Sequence, residues 1–351
     1  MRKVLVILPN SIGGAEHQTV RIASYLPVER FDVEFVVIGP GIDKIRGLLP
    51  NGRKIHFIRV GHIWQGGLFK LWHLYRREKP YAVFSSFKYL NGRSILAAKL
   101  AGIPRTVIRG ELSAISNADI LARILARLFY RKASSVICQT EELRNEAIAR
   151  FGVPSERAVA LYNAPDTASL DLRSQTASNP YQDCGPRFVN VARITEQKGQ
   201  KELLRAFALL RERVPDASLT IVGDIHFDEA YFRSLQEIVA QKGLADAVHF
   251  AGFQSNPVPW VKFSDCFVLS SKWEGLPNAL IEAQYLGVPC VATRCIPSIS
   301  RVVSDGVNGH LVDVDDEKAL AEAMEASLLL KNIPYTYKSA SPEEFVKCFE
   351  V

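Results

Sequence analysis

This 351-residue sequence predicts an α/β chain of two tandem Rossmann-like domains. Three observations carry the prediction. Strand-like and helix-like segments alternate along both halves. The strand-like runs are continuously apolar, as in "KVLVILP" and "FDVEFVVIG", which suits strands buried on both faces of a parallel sheet. A polar stretch without period, "DTASLDLRSQTASNPYQDC" at 166–184, separates the halves and reads as a linker.

In order, "KVLVILP" leads through Gly13 and Gly14 into the helical "AEHQTVRIASYL", and "FDVEFVVIG" follows. Then come a helix "LFKLWHLYRREKP", a strand "YAVFSS", a helix "GRSILAAKLAG" and a strand "RTVIRG". "DILARILARLFYRKA", "SSVICQT" and "EELRNEAIARFG" continue the alternation, and "PSERAVALYNAPD" closes this half. The pattern restarts with "PRFVNVAR", "GQKELLRAFALLRERVP", "ASLTIVGD", "DEAYFRSLQEIVAQKGL" and "AVHFAGF". "DCFVLSS" then leads through "KWEGL" into "PNALIEAQYL", and "VPCVAT" follows. The expected division is 1–165, a linker 166–184, a second domain 185–334, and a segment 335–351 that could return to the first domain.

Composition sets further bounds. Apolar residues make up 48% and charged residues 23%, ordinary for a globular chain. The opening apolar run is too short for a secretory signal, and no window approaches 18 uncharged apolar residues. The six cysteines are scattered, with no CxxC, which reads as free thiols in a reducing cytosol. Residues 1–165 hold 25 Lys and Arg against 12 Asp and Glu, a net +13, whereas the remainder nets −7. That asymmetry suggests that the first half faces something anionic, against the plainer reading of a solvated basic face. Neither half has a G-x-G-x-x-G followed by an acidic ribose ligand, so a dinucleotide dehydrogenase fits poorly.

"WEGLPNALIEA" places Glu274 before a Gly-Leu-Pro turn and Glu282 eight residues later. The helix start lies at the carboxyl end of a parallel strand, where open α/β sheets bind ligands. Its free amides, from about Leu276 to Ala279, suit an anion. Two carboxylates beside a phosphate site make sense if they accept from hydroxyls flanking the phosphates, as a nucleotide sugar presents. The neutralising cations are then sought in "NVARITEQKGQKELLRAF", where Arg193 and Lys198 stand beside a strand end and a helix start.

These residues carry a resemblance. E-x7-E (Glu274, Glu282), Arg193…Lys198-Gly199, "GGAE" (Gly13–Glu16), "LTIVGD", "HFAGF" and "DGVNGHLV" together resemble the retaining glycosyltransferases of family 4, group 1, along nearly the whole chain. The resemblance implies a GT-B fold, with two Rossmann-like domains facing a central cleft. It implies that Arg193 and Lys198 bind a donor diphosphate, that Glu282 holds the ribose and that Glu274 meets the transferred sugar. Gly275, Leu276, Pro277, Asn278 and Ala279 would line sugar or phosphate. Gly13 and Gly14 would let the first domain's loop approach the diphosphate, and the base would lie near Gly252 and Phe253. Arg109 and Glu111 are the acceptor-side candidates; some relatives carry His where Arg109 falls. The implied chemistry is net retention, without a metal or other cofactor. The donor would be a nucleotide sugar, UDP-linked, and the acceptor a polysaccharide or lipid-linked glycan. Loss of Glu282 is expected to weaken nucleotide binding, and loss of Glu274 to slow turnover with UDP affinity nearly intact.

Other readings stand beside this one. "DVDD" at 313–316 contains a formal D-x-D, but Asp315 or Asp316 reads as a helix N-cap. His17, His226 and His310 lack metal-ligand spacing. The helices at 68–79 and 119–132 combine apolar and basic faces, which suits an anionic membrane surface, and the expected location is cytoplasmic, at the inner face of the membrane. No nucleic-acid motif accompanies the charge. The rivals are a binding scaffold without activity and a sugar-nucleotide epimerase of the same fold. The short C-terminal stretch leaves the return to the first domain in question.

Overall fold

The computed structural model describes residues 1–61, 67–110, 120–182, 185–225 and 228–350, apart from the Leu121 side chain. The chain divides into two units: Met1–Ala164 with Ser339–Val351, and Pro165–Lys338.

The first unit is built on seven parallel strands. They are β1 (Arg2–Pro9), β2 (Phe31–Gly39), β3 (Ile55–Arg59), β4 (Ala82–Ser85), β5 (Arg105–Gly110), β6 (Ser135–Cys138) and β7 (Ala158–Ala160). Their order is β3-β2-β1-β4-β5-β6-β7. Helices α1 (Gly14–Ser24), α2 (Gly67–Glu78), α3 (Lys88–Ala101), α4 (Ile120–Phe129) and α5 (Glu141–Phe151) connect them. The order reverses between β1 and β4, so their carboxyl ends flank a crevice of the kind that binds ligands. β1 is buried from Val4 onward, which explains its unbroken apolar run.

β3 has no counterpart in the sequence reading. Its apolar Ile55 and Phe57 are exposed, whereas His56 is buried. The inward histidine is held by Glu34 of β2, Nε2 to Oε2 at 2.6 Å. Glu78, at the end of α2, joins the same cluster. Lys3 reaches Glu78 at 2.9 Å and Glu34 at 3.2 Å, and Lys54 reaches them at 3.3 and 3.6 Å. Glu34, His56 and Glu78 are close enough to share a cation. Two ammonium groups already neutralise the carboxylates, so the cluster reads as an ion network. The lysines draw the Glu78 carboxyl down to about 2.

The second unit has six parallel strands: β8 (Arg187–Val191), β9 (Ser218–Val222), β10 (Val248–Gly252), β11 (Cys266–Leu269), β12 (Cys290–Thr293) and β13 (Gly309–Val312). Their order is β10-β9-β8-β11-β12-β13. Helices α7 (Gln200–Arg211), α8 (Glu229–Gln241), α9 (Val258–Lys262), α10 (Asn278–Tyr285) and α11 (Glu317–Ser327) cover the sheet. The reversal here falls between β8 and β11.

The stretch 166–184 departs from the linker expectation. Helix α6 (Thr167–Gln175) occupies its first half, with Asp166 accepting from the Ser169 amide as N-cap. It belongs to the second unit: Lys262 donates to the Ser174 carbonyl at 2.7 Å, and Tyr285 to Asp171 at 2.9 Å. Of its apolar residues Leu170 alone is fully buried, too little for a visible period.

The chain's last helix, α12 (Pro342–Lys347), packs into the first unit. Phe345, Val346 and Phe349 join the buried cluster around β1, β2 and β4. Phe349 meets Phe84 edge-on at 5.4 Å, and Phe345 lies 5.6 Å from Tyr25. A Ser341/Glu344 capping box starts the helix. Residues up to Lys338 stay with the second unit, where Thr336 accepts from Asn308 and Tyr335 packs on Tyr285.

Candidate active site

The loops leaving β8 and β11 meet at the second unit's switch point. After β8 the chain passes the exposed Arg193 and the buried Ile194, then makes a 3-10 turn over Glu196–Lys198. Gly199 follows with φ 64°, and α7 begins. A side chain at Gly199 would place its Cβ 2.0 Å from the Ser270 carbonyl oxygen. Only glycine permits both that backbone conformation and that approach.

After β11 the chain runs through Ser270–Pro277 into α10. The two loops are joined by backbone and side-chain bonds. The Lys272 amide donates to the Gln197 carbonyl at 2.8 Å, the Gln197 side chain to the Trp273 carbonyl at 2.9 Å, and Ser270 Oγ to the Lys198 carbonyl at 2.9 Å. Lys198 Nζ then lies 2.6 Å from Glu274 Oε1. Ser271 Oγ donates to that same oxygen at 2.7 Å. Thr293, at the end of β12, donates to the Ser271 carbonyl at 2.5 Å and holds that residue in turn. Cys295 lies beside the pair; burial first, then the Glu274 charge, pushes its thiol up to about 12.

No side chain caps α10 at Pro277, and the Leu280 and Ile281 amides turn back to the Pro277 carbonyl. The amides of the first turn ahead of them form the N-terminal end of the helix dipole. Glu282 is the fifth residue of the helix and is half-buried, as are Gly275, Asn278 and Ala279; Leu276 and Pro277 are buried. Gly287 ends the helix with φ 75°. On the other side of β8, Gly252 closes β10 with φ 67°, and Phe253 follows with its ring exposed.

Of the residues singled out in the sequence, the fold brings Lys198 and Glu274 into contact just ahead of α10. The sequence reading did not single out Ser271, Thr293 or Gln197, which hold them. Ser271 sits three residues before Glu274, and that spacing was a signal for a loop hydroxyl reaching the carboxylate. Thr293 carries no local signal, because only the parallel pairing of β11 with β12 brings it there.

The D-x-D residues have other partners. Asp316 caps α11, accepting from the Ala319 amide at 2.9 Å. Asp313 lies 3.6 Å from Arg294 and Asp315 3.3 Å from Lys272. His310 faces Asp305 at 3.4 Å, and His226 lies outside the described residues.

In the first unit, Gly13 is the N-cap of α1 and Gly14 its first residue. Glu16 is buried there and accepts from Ser11 Oγ. Arg109, at the end of β5, is buried and donates to Asn163 Oδ1 at 3.0 Å, while its carbonyl accepts from Asn91. Glu111 lies outside the described residues. Cys138, Cys266, Cys290 and Cys348 are buried free thiols and Cys295 is half-buried; Cys184 is not among the described residues.

Two Rossmann-like units, with an E-x7-E helix and a basic loop at one switch point, define a glycosyltransferase of the GT-B class. The chain belongs to the group 1, family 4 glycosyltransferases: residues 12–169 match the Glycosyltransferase Family 4 model and residues 174–342 the Glycosyl transferases group 1 model. It is similar to the lipopolysaccharide core biosynthesis glycosyltransferase LpsE of Rhizobium meliloti, with 27% identity over 89% of this chain and 85% of that protein. An uncharacterized glycosyltransferase of Methanocaldococcus jannaschii is 34% identical over 48% of this chain, a match spanning 42% of that protein's length. Among solved structures, Anabaena HepE in complex with UDP and glucose shares the fold, with a TM-score of 0.76 and 20% identity over 99% of this chain and 96% of that one.

Proposed function

We propose that the protein transfers a hexose or N-acetylhexosamine, with retention and without a metal, from a UDP-sugar to a lipid-linked or polysaccharide acceptor in surface glycan assembly. The observation that carries this reading is the meeting of Lys198, Glu274 and the α10 amino terminus at the β8/β11 switch point. Arg193 and Lys198 supply the positive charge for a departing diphosphate. Stabilising that leaving group is the largest contribution such a site can make to the rate. Glu282 holds the ribose, Glu274 the transferring sugar, and Gly252 and Phe253 flank the base. Gly13 and Gly14 are assigned to the diphosphate by family resemblance. Burial of Arg109 against Asn163 supports a role in shaping the acceptor side. The relative in lipopolysaccharide core biosynthesis supports the surface glycan, and HepE with UDP supports the nucleotide.

The acceptor's setting follows from α4. Ile120, Ile124 and Leu128 recur every fourth residue and are 73%, 47% and 50% exposed. Arg123, Arg127, Arg131 and Lys132 accompany them, and no acidic residue lies between 120 and 132. An apolar stripe between cations suits the surface of an anionic bilayer. Among the described residues no helix is long and apolar enough to cross a membrane. Binding to phosphatidylglycerol vesicles at low salt, lost at high salt, is the expected result. Equal binding to neutral vesicles would count against it.

The deciding experiment is UDP release from a panel of UDP-sugars, with and without membrane-derived acceptor, in EDTA. Acceptor-dependent release in chelator supports the transferase. Recovery of activity only with Mn²⁺ or Mg²⁺ overturns metal independence. Interconversion of sugars without release supports an epimerase, and UDP-sugar binding with neither outcome supports a scaffold.

A further inference from the structure

Resting on that reading of the donor site, we propose that Glu274 is the resting counter-ion of Lys198, so that the carboxylate competes with the donor's phosphates for one ammonium group until the donor's sugar replaces it. The pair is not a loose surface contact. Its N–O separation is 2.6 Å, and the Lys198 and Glu274 side chains are only 15% and 8% exposed. Ser271 fixes the same carboxylate oxygen, and three further hydrogen bonds lock the two loops that carry the pair. A shielded, fixed pair keeps much of its Coulombic attraction, unlike the exposed pairs that contribute little.

Two consequences follow for a diphosphate placed against Lys198. It meets an ammonium already neutralised, and it lies near a carboxylate that repels it. UDP by itself therefore binds against the pair. A UDP-sugar offers hydroxyl donors to Glu274, satisfies the carboxylate and leaves Lys198 to the phosphates. The same two residues thus make the nucleotide's hold depend on the sugar it carries, which favours loaded donor over spent UDP.

The test is calorimetry with UDP and with inorganic pyrophosphate on the full chain. Glu274→Gln keeps the shape and removes the charge. It should bind UDP about tenfold more tightly than the parent, equivalent to about 1.4 kcal/mol, while transfer slows. Glu274→Asp keeps the charge and should not tighten UDP. In Lys198→Met the Glu274→Gln gain should shrink to the part that relief of direct repulsion supplies, a non-additivity that reports the coupling of the two side chains. Thermal melts of each variant establish folding. Unchanged or weaker UDP binding by Glu274→Gln, with Lys198→Met still weakening the parent, overturns the competition and leaves the donor site standing. Equal tightening by Glu274→Asp also overturns it. UDP binding that ignores Lys198→Met removes both the competition and the donor-site reading beneath it.

Discussion

Glu282 and Glu274, eight residues apart, carry two different jobs in the proposed reading. Glu282 is fixed inside α10, where its carboxylate can grip a group that changes little during reaction. Uniform binding of that kind affects ground and transition states alike. Glu282→Gln should therefore weaken UDP binding about ten- to a hundredfold, the worth of a hydrogen bond to a charged group, and change kcat little. Calorimetry beside steady-state kinetics checks this, and a lost kcat with intact UDP binding would reverse the assignment. At this scale the sequence was informative about charged residues and silent about their holders. Lys198 and Glu274 stood out only in combination, because a basic loop, an E-x7-E pair and "GGAE" occur together on two Rossmann-like halves. Ser271 and Thr293 are ordinary strand-end hydroxyls, and their role exists only through the three-dimensional register of β11 and β12.

At the scale of elements, the strands of the sheet centres were readable because burial on both faces leaves no room for polar residues. β3 was not, since one of its two inward residues is His56, made tolerable by Glu34, the other being Ile58, while Ile55 and Phe57 face outward. α6 was hidden for the opposite reason, having one buried apolar side chain and a polar remainder. The Lys198–Gly199 turn joins the two loops of the site, and it yields a prediction at this scale. Gly199→Ala forces a Cβ against the Ser270 carbonyl in a left-handed conformation. It should cost about 1–3 kcal/mol and also weaken UDP binding, because Lys198 moves with the turn. Chemical denaturation and UDP titration of the same variant check both parts, and a stable variant with normal UDP affinity would show that the loops can separate freely.

For the whole molecule, charge is distributed by unit, and part of it is structural. The Glu34–His56–Glu78 network with Lys3 and Lys54 ties β1, β2, β3 and α2 together. Glu78 titrates at about 2 when folded, below its ordinary 4.5. A carboxyl depressed in this way stabilises the fold above its unfolded value, and the contribution is lost as pH falls from about 4.5 toward 2. Glu78→Gln should lose stability at neutral pH, by less than the roughly 3 kcal/mol of the full shift, because Lys54 and Arg77 are exposed to solvent, and show a flatter decline between pH 5 and 3. Urea unfolding at pH 7, 5 and 3 measures it; parallel pH curves for parent and variant would remove Glu78 from the account. The basic excess of the first half was plain in the sequence, but its division into an ion network around Glu34 and Glu78 and the exposed α4 stripe needed the fold.

The docking of α12 on the first unit bears on the order of synthesis. When residue 164 leaves the ribosome, the first sheet has all seven strands, but the places filled by Phe345, Val346 and Phe349 are still open. They close only after the whole second unit has been made. The second unit, by contrast, is one uninterrupted stretch, Pro165–Lys338, with its own buried core. A growing chain can therefore complete its second unit before its first, and a fragment cut at 164 would expose the apolar floor beneath Phe84 and Tyr25. In topological terms the second unit is inserted into the first, and a stop codon ahead of Phe345 would damage the half of the protein encoded first.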